Sequence, residues 1–550
     1  MKIGIAQLNL TVGDIAGNSR KIILYAERAK RDGCDILVTP ELSICGYPPE
    51  DLLLRDDFCK ACERGITELA QAVHGLTLVV GHPHKKNGKL FNAASVLSEG
   101  KILVTYFKQN LPNYTVFDER RYFTSGDSNT IFEVGGKKIG INICEDVWTP
   151  NFYTELNYLS QTSRQASPVS QAKKNEADVL LVLNASPFHL DKHVRRVEVV
   201  RSQAMENQIP IIFCNMVGGQ DELIFDGKSF AVDSSGKLTN QMIAFEEDIG
   251  VVNFEDNELV SGVIVSERDQ AADIYEALKI GVRDYFRKGG FSDAIIGLSG
   301  GIDSALTLCV AADALGGDAV HAVMMPSQYT SHMSLEDSRK IKSSLGVKYS
   351  EISIQPIYEN YLEELNLVFS GLPSDTTEEN LQSRIRGTLL MAMSNKFGSL
   401  VLSTGNKSEM STGYATLYGD MAGGFSVLKD ISKQWVYRLA KYRNTHGLII
   451  PERVISRPPS AELREDQIDE DSLPPYEILD AILQLYVEKN KSLLDIVNSG
   501  YPKDTVEQII KLVHNNEYKR RQAPIGIRIT PRAYGKDWRY PIINRFRVEG

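Results

Sequence analysis

Long hydrophobic runs are missing from this chain. No stretch approaches the ~20 consecutive apolar residues that a membrane-spanning helix needs, and residues 1–10 lack the charged segment and apolar run of a secretory signal. The expectation is a protein neither inserted nor exported. Cysteine is also sparse: the seven residues Cys34, Cys45, Cys59, Cys62, Cys144, Cys214 and Cys309 are scattered over 550 positions. They form neither a compact disulfide framework nor the two C-x-x-C pairs of a zinc site, which points to a reducing, cytoplasmic setting. A surplus of positive charge is missing too. The formal net charge of -10 disfavours the broad phosphate contacts that nucleic-acid binding requires. No internal repeat and no long polar tract is present, so neither a solenoid nor an extended disordered region is expected.

What is present is an ordinary folded composition, 42% hydrophobic and 24% charged, in a chain well beyond the ~250–300 residues at which single cores stop growing. At least two domains follow. Apolar runs at 2–8, 35–39, 76–80, 102–107, 138–143, 178–183 and 209–213 alternate with helical patterns such as 19–31, which reads as α/β organisation. Asp233-Ser-Ser-Gly236 reads as a turn between two further strands. The pattern loosens near 245–270, and a helix then begins with Ile274, Ala277, Leu278, Val282, Tyr285 and Phe286 on one face. This divides the chain into domains of 1–260 and 261–550. The Ser- and Gln-rich stretch 160–170 and the Pro- and acid-rich stretch 457–475 read as exposed excursions outside either core.

The sharpest local signal is Leu298-Ser-Gly-Gly-Ile-Asp-Ser304, after the apolar run 294–296 and before the helical stretch 305–315. Two glycines in a strand-loop-helix context let the backbone turn tightly and aim N–H groups at an anion, while the helix N-terminus adds its positive dipole end. The G-K-[ST] ending of a Walker loop is absent. A second strand and loop, Leu400-Val-Leu-Ser-Thr-Gly-Asn-Lys-Ser-Glu409, puts another carboxylate past a strand end, where α/β sheets collect ligands. Asp303 and Glu409 are then candidates to share Mg²⁺ with substrate phosphates.

The first half holds three residues of complementary chemistry, each after a strand: Glu41 in Thr39-Pro-Glu-Leu-Ser, Lys108 in Tyr106-Phe-Lys-Gln-Asn-Leu-Pro, and Cys144 in Ile-Asn-Ile-Cys-Glu-Asp. A thiol attacks well only when a base removes its proton and a cation stabilises the charge that develops. Glu41 and Lys108 suit those roles. The backbone N–H of Glu145 and the Lys108 ammonium are the expected oxyanion donors.

These motifs carry resemblances. Pro-Glu-Leu-Ser, Phe-Lys-Gln-Asn-Leu-Pro-Asn-Tyr and Ile-Cys-Glu-Asp-Val-Trp resemble the nitrilase superfamily over roughly residues 1–260, implying an αββα sandwich. The resemblance also implies Glu119 as an additional acid beside the triad, and Tyr114, Ser186 and Lys192 as glutamine contacts. The loop S-G-G-I-D-S resembles that of ATP pyrophosphatases, which implies a Rossmann-like domain with a parallel sheet. It also implies ATP binding by Gly297, Leu298, Ser299, Gly300, Gly301, Ile302, Asp303 and Ser304. Together with the 400–420 stretch it is similar to the ammonia-using domain of NAD synthetases. That likeness adds Thr404 for ATP, Asn380, Glu409 and Lys519 for deamido-NAD, and Asp303 and Glu409 for Mg²⁺.

The union of the two halves resembles the glutamine-dependent NAD synthetases over almost the whole chain. The resemblance implies a ligase that takes ammonia from glutamine and amidates a deamido-NAD carboxylate activated by ATP as an AMP adduct. Its partners would be these small molecules, with no nucleic acid or membrane. It further implies a homo-oligomer and an enclosed route for ammonia. An ATP pyrophosphatase acting on another carboxylate or on tRNA, and a binding-only protein, are the competing readings.

Overall fold

The computed structural model describes residues 1–148 and 167–546. Contacts divide the chain into two compact units, Met1–Arg268 and Asp269–Gly550.

The first unit is built from two sheets laid face to face. One has seven strands in the order Glu258–Leu259, Asp248–Glu255, Lys2–Gln7, Ile36–Val38, Thr77–Lys86, Lys89–Ser98 and Lys101–Phe107. The other has six, in the order Leu238–Gln241, Phe230–Val232, Ile211–Asn215, Val179–Asn184, Lys137–Ile143 and Ile131–Val134. Strand side chains alternate between faces, and the sequence uses that period. Ile139, Ile141 and Ile143 meet Ile3, Ile5, Val38 and Val79 between the sheets. Leu180 and Val182, on the opposite face of their strand from Leu181 and Leu183, pack with the helices Pro168–Lys174 and Lys192–Asn207. On the far side the helices Ile15–Arg31 and Asp56–Ala72 cover the seven-stranded sheet. The result is the expected αββα sandwich.

The 160–170 stretch falls mostly outside the described residues, but its last part corrects the expectation of an exposed excursion. Ser167 caps the helix Pro168–Lys174 by accepting from Ser170 N, and Pro168 and Val169 are buried. Proline suits this first helical position because its missing N–H would have had no partner there.

The second unit centres on five parallel strands in the order Lys348–Glu351, Val320–Met324, Ala294–Gly297, Leu400–Ser403 and Phe425–Ser426. After Ala294–Gly297 the chain adds strands to one side, then returns to add Leu400–Ser403 on the other. That reversal is the switch point where sheets of this kind bind ligands. A separate helical core of Leu479, Ile482, Val487, Ile509 and Val513 backs the sheet unit. Among the described residues no helix is long and apolar enough to cross a membrane.

Candidate active sites

In the first unit, Glu41 follows the strand Ile36–Val38 and is held there by a close backbone approach. A Cβ on Gly81 would lie 2.5 Å from Leu42 N and 2.8 Å from Pro40 O, so only glycine admits the loop 40–42 against the neighbouring strand. The Glu41 carboxylate accepts from Asn92 Nδ2 at 2.7 Å, from Ala185 N at 3.1 Å and from Lys108 Nζ at 2.7 Å. Lys108 is fully buried and also donates to both oxygens of Glu119 at 2.9 Å. Tyr47 OH secures Glu119 at 3.0 Å.

The electrostatics follow from burial. Desolvation pulls the Lys108 ammonium down, yet the Glu119 and Glu41 carboxylates outweigh it and hold it well above the ordinary lysine value. Burial pushes Glu119 up to about 7 against the pull of Lys108. The Cys144 thiol is raised by burial first and by Glu41 next, with Lys108 opposing. A resting thiolate is therefore disfavoured, and the proton must leave as the sulfur attacks.

Lys108 departs from the sequence expectation in one respect. Its donors already face three carboxylate oxygens, so what it offers a developing oxyanion is mainly charge, rather than an open N–H. Cys144 opens the turn Cys144–Val147 with φ +45°, a left-handed conformation unusual for a residue with a Cβ.

The expected glutamine contacts lie nearby in the same unit. Tyr114 OH donates to the Glu145 carboxylate at 2.8 Å. The Ser186 hydroxyl accepts from the buried Arg196 at 3.1 Å, and Arg196 is paired with Asp226 at 2.7 Å. Lys192 opens its helix with its ammonium 4.3 Å from the centre of the Trp148 ring.

In the second unit, the loop after Ala294–Gly297 is organised by its own serines. Ser299 N donates to Ser304 Oγ at 3.2 Å, Gly301 N to Ser299 Oγ at 3.2 Å, and Leu298 N to Val323 O at 2.9 Å. Successive amides are thus not all directed outward, contrary to the simplest reading of the two glycines. The attraction for an anion rests on the N-terminus of the helix Ile302–Leu315, for which Gly301 supplies no side-chain cap.

Asp303, in that helix's first turn, accepts from Asn406 Nδ2 at 2.9 Å and from Lys433 Nζ at 2.5 Å. Lys433 also reaches Glu409 at 3.4 Å. Burial and Asp303 push Glu409 up to about 8 against Lys433. Burial lowers the Lys433 ammonium, but Asp303 and Glu409 prevail and hold it high. Thr404 sits just past its strand, half-buried.

Asn380 and Lys519 gather around the turn that follows the helix Lys407–Thr412. Asn380 Oδ1 accepts from Thr416 Oγ1 at 2.8 Å, and Lys519 Nζ donates to Gly413 O at 2.7 Å and Ala415 O at 2.8 Å.

Sequence reasoning missed Lys433 and Asn406 as site residues, and Lys433 stands in no recognisable motif. The stretch 457–475 is mostly exposed, as expected, but it is also tied to the unit beneath it. Arg457 donates to Gly300 O and to Ser334 Oγ, Glu462 accepts from Ser331 and Ser334 hydroxyls at 2.9 and 2.7 Å, and Asp469 and Leu473 are buried. The stretch is a strap across the anion loop, anchored at both ends.

A buried Glu-Lys-Cys pocket in an αββα sandwich, joined to an anion loop and paired carboxylates at a parallel-sheet switch point, defines an amide-handling enzyme coupled to an ATP-using one. Family models agree: carbon-nitrogen hydrolase matches residues 2–260 and NAD synthase residues 274–523. The chain is 46% identical over 553 residues to the glutamine-dependent NAD(+) synthetase of Acinetobacter baylyi, covering 100% of this chain and 99% of that protein. It is 42% identical over 585 residues to that of Aquifex aeolicus, covering 99% and 100%. Among solved structures, the glutamine-dependent NAD+ synthetase of Acinetobacter baumannii in complex with adenosine diphosphate is 42% identical, with a TM-score of 0.78 over 100% of this chain and 99% of that one. The Cytophaga hutchinsonii enzyme, 21% identical with a TM-score of 0.82 over 99% and 98%, shares the fold. The chain belongs to the glutamine-dependent NAD(+) synthetase family.

Proposed function

We propose that the two sites act in series to make NAD(+), with glutamine as nitrogen donor and ATP as the source of activation. Cys144 Sγ attacks the glutamine side-chain amide carbon while Glu41 takes the thiol proton. The oxyanion forms against the Lys108 charge, which Glu119 holds in place. The C–N bond then breaks, ammonia leaves with the proton returned by Glu41, and water hydrolyses the thioester to glutamate. Tyr114, Ser186 and Lys192 would orient glutamine.

In the second unit, the carboxylate of deamido-NAD attacks the α-phosphorus of ATP, pyrophosphate leaves, and ammonia displaces AMP from the mixed anhydride. Gly297 to Ser304 and Thr404 would hold ATP, and Asn380, Glu409 and Lys519 the dinucleotide. Two carboxylates aimed at one buried cation, Lys433, are a hard-oxygen set that fits Mg²⁺, which needs only one or two protein ligands beside phosphates. Asp303 and Glu409 would hold it, and it would neutralise charge on the pyrophosphate. A homo-oligomer, an enclosed ammonia route and a cytoplasmic setting complete the reading.

The observation that carries the first half is the buried Lys108 ammonium shared by Glu41 and Glu119, with the Cys144 thiol under the charge of all three. Cys144→Ala tests it. Glutamine-dependent NAD(+) formation should vanish while synthesis from added ammonia stays within about two-fold, followed by glutamate, AMP and pyrophosphate release. Retained glutamine use would refute the assignment.

A further inference from the structure

Asp146 lies two residues beyond the nucleophile and is 1% exposed. Its Oδ2 accepts from Ile143 N at 3.0 Å and from Tyr106 OH at 2.8 Å. Its Oδ1 accepts from Gln109 N at 3.0 Å and from Asn110 N at 2.8 Å. The donors are not spread over the fold. One is the amide just before Cys144, two are the amides just after Lys108, and the fourth is the hydroxyl two residues before Lys108. A single carboxylate therefore ties together the ends of Lys137–Ile143 and Lys101–Phe107, the strands that deliver the thiol and the ammonium.

The need for such a tie is local. Cys144 holds φ +45°, a strained region where a non-glycine residue persists only if its surroundings over-determine it. The Ile143 amide bond to Asp146 closes the turn on itself. On the other strand, Lys108 is fixed by its own backbone, donating to Asn92 O at 2.9 Å and accepting from Gly126 N at 2.8 Å. What those bonds leave open is the distance between the two strand ends, and the Asp146 carboxylate spans it. Asn142 extends the network by donating to Tyr106 OH at 3.2 Å.

We infer that Asp146 is a positioning residue of the glutaminase reaction, acting through Cys144 and Lys108 by fixing the thiol against the ammonium. This rests on the Glu41-Lys108-Cys144 reading above. Asp146→Asn keeps size and shape but cannot accept on both sides. A displacement on the order of 1 Å in a reacting pair costs about 10²-fold. The expected result is a fall in glutamine-dependent kcat of about 10²-fold, with KM for glutamine changed less than about three-fold and ammonia-driven synthesis within about two-fold. Tyr106→Phe removes only one of the four donors and should show the same pattern at roughly three- to ten-fold.

A kcat within about three-fold of wild type in Asp146→Asn would overturn the inference, and so would a KM that rises as far as kcat falls. If Asp146→Asn does not accumulate as folded protein, Tyr106→Phe decides alone, and wild-type kcat there is a refutation. Cys144→Ala on the same assay separates the two levels. Surviving glutamine use in it would sink the triad itself, whereas its loss beside an unaffected Asp146→Asn sinks only the positioning role.

Discussion

Gly300 and Gly301 are neighbours in one loop, yet the structure assigns them different burdens. Gly300 has φ +82°, and a Cβ there would lie 2.6 Å from Ser334 O and 2.8 Å from Ser334 Cα. Gly301 has an ordinary φ of -79°, and its Cβ would meet only Ser299 Oγ, at 3.3 Å. Left-handed backbone costs an L residue about 1–2 kcal/mol, and overpacking that moves backbone adds about 1–3 kcal/mol. Gly300→Ala should therefore lose about 2–5 kcal/mol, and Gly301→Ala less than about 1 kcal/mol. At roughly 2–4 °C per kcal/mol in a domain of this size, thermal denaturation should show a fall of about 5–15 °C for the first variant. The second should fall by no more than about 4 °C. Relief requires the loop to retreat from Ser334 by on the order of 0.5–1 Å, enough to cost about 10–100-fold in a positioned reaction. The assay is ammonia-driven NAD(+) formation with ATP varied, and kcat/KM for ATP in Gly300→Ala should drop by that factor while glutamine hydrolysis persists. Equal melting shifts for the two variants, or turnover of Gly300→Ala within two-fold of wild type, would refute the reasoning.

Two pH predictions rest on buried carboxyls. Burial raises Glu119 to about 7, so it carries its proton below that value and its charge above it; glutamate release should rise with pH through about 7, and Glu119→Gln should flatten that rise. A wild-type profile already flat between pH 6 and 8 would contradict the assignment. Burial and Asp303 raise Glu409 to about 8, and a carboxylate must lose its proton to bind a metal. Binding of Mg²⁺ with ATP at pH 7 should therefore release up to about one proton, fading above pH 8. Calorimetry in buffers of different ionisation heat measures it, and no release at pH 7 would rule out Glu409 as a ligand.

Much of this molecule was legible in the sequence because its signals are local. The sandwich shows itself through residues such as Ile139, Ile141 and Ile143, whose period of two is strand geometry. Lys108 and Cys144 stand directly after a strand and Glu41 shortly after one, so their places in the sequence are visible without knowing that they meet. Lys433 was not legible for the opposite reason. It shares no motif with Asp303, 130 positions away, and only the packing of the helix Lys433–Asn444 against Ile302–Leu315 brings the two together. The exposure of the strap 457–475 was legible from its acidic, proline-rich composition, but its anchoring to the anion loop was not. Glu462 differs from a surface acid through the hydroxyls of Ser331 and Ser334 and the Ser331 amide, which composition cannot reveal. Likewise, nothing in the letters distinguishes Gly300 from Gly301; the distinction lies in what stands beside them.

The pairing of the first strand has a consequence for how the chain is made. Lys2–Gln7 lies between Ile36–Val38 and Asp248–Glu255, with Lys2 opposite Asn253. On the ribosome, Glu41, Lys108 and Cys144 all emerge long before the strand that covers the far edge of Lys2–Gln7. A nascent chain with all three of these residues already synthesised still leaves one edge of Lys2–Gln7 unpaired until Asp248–Glu255 appears. The sandwich that positions Glu41, Lys108 and Cys144 is therefore completed only by the segment that leads into the second unit.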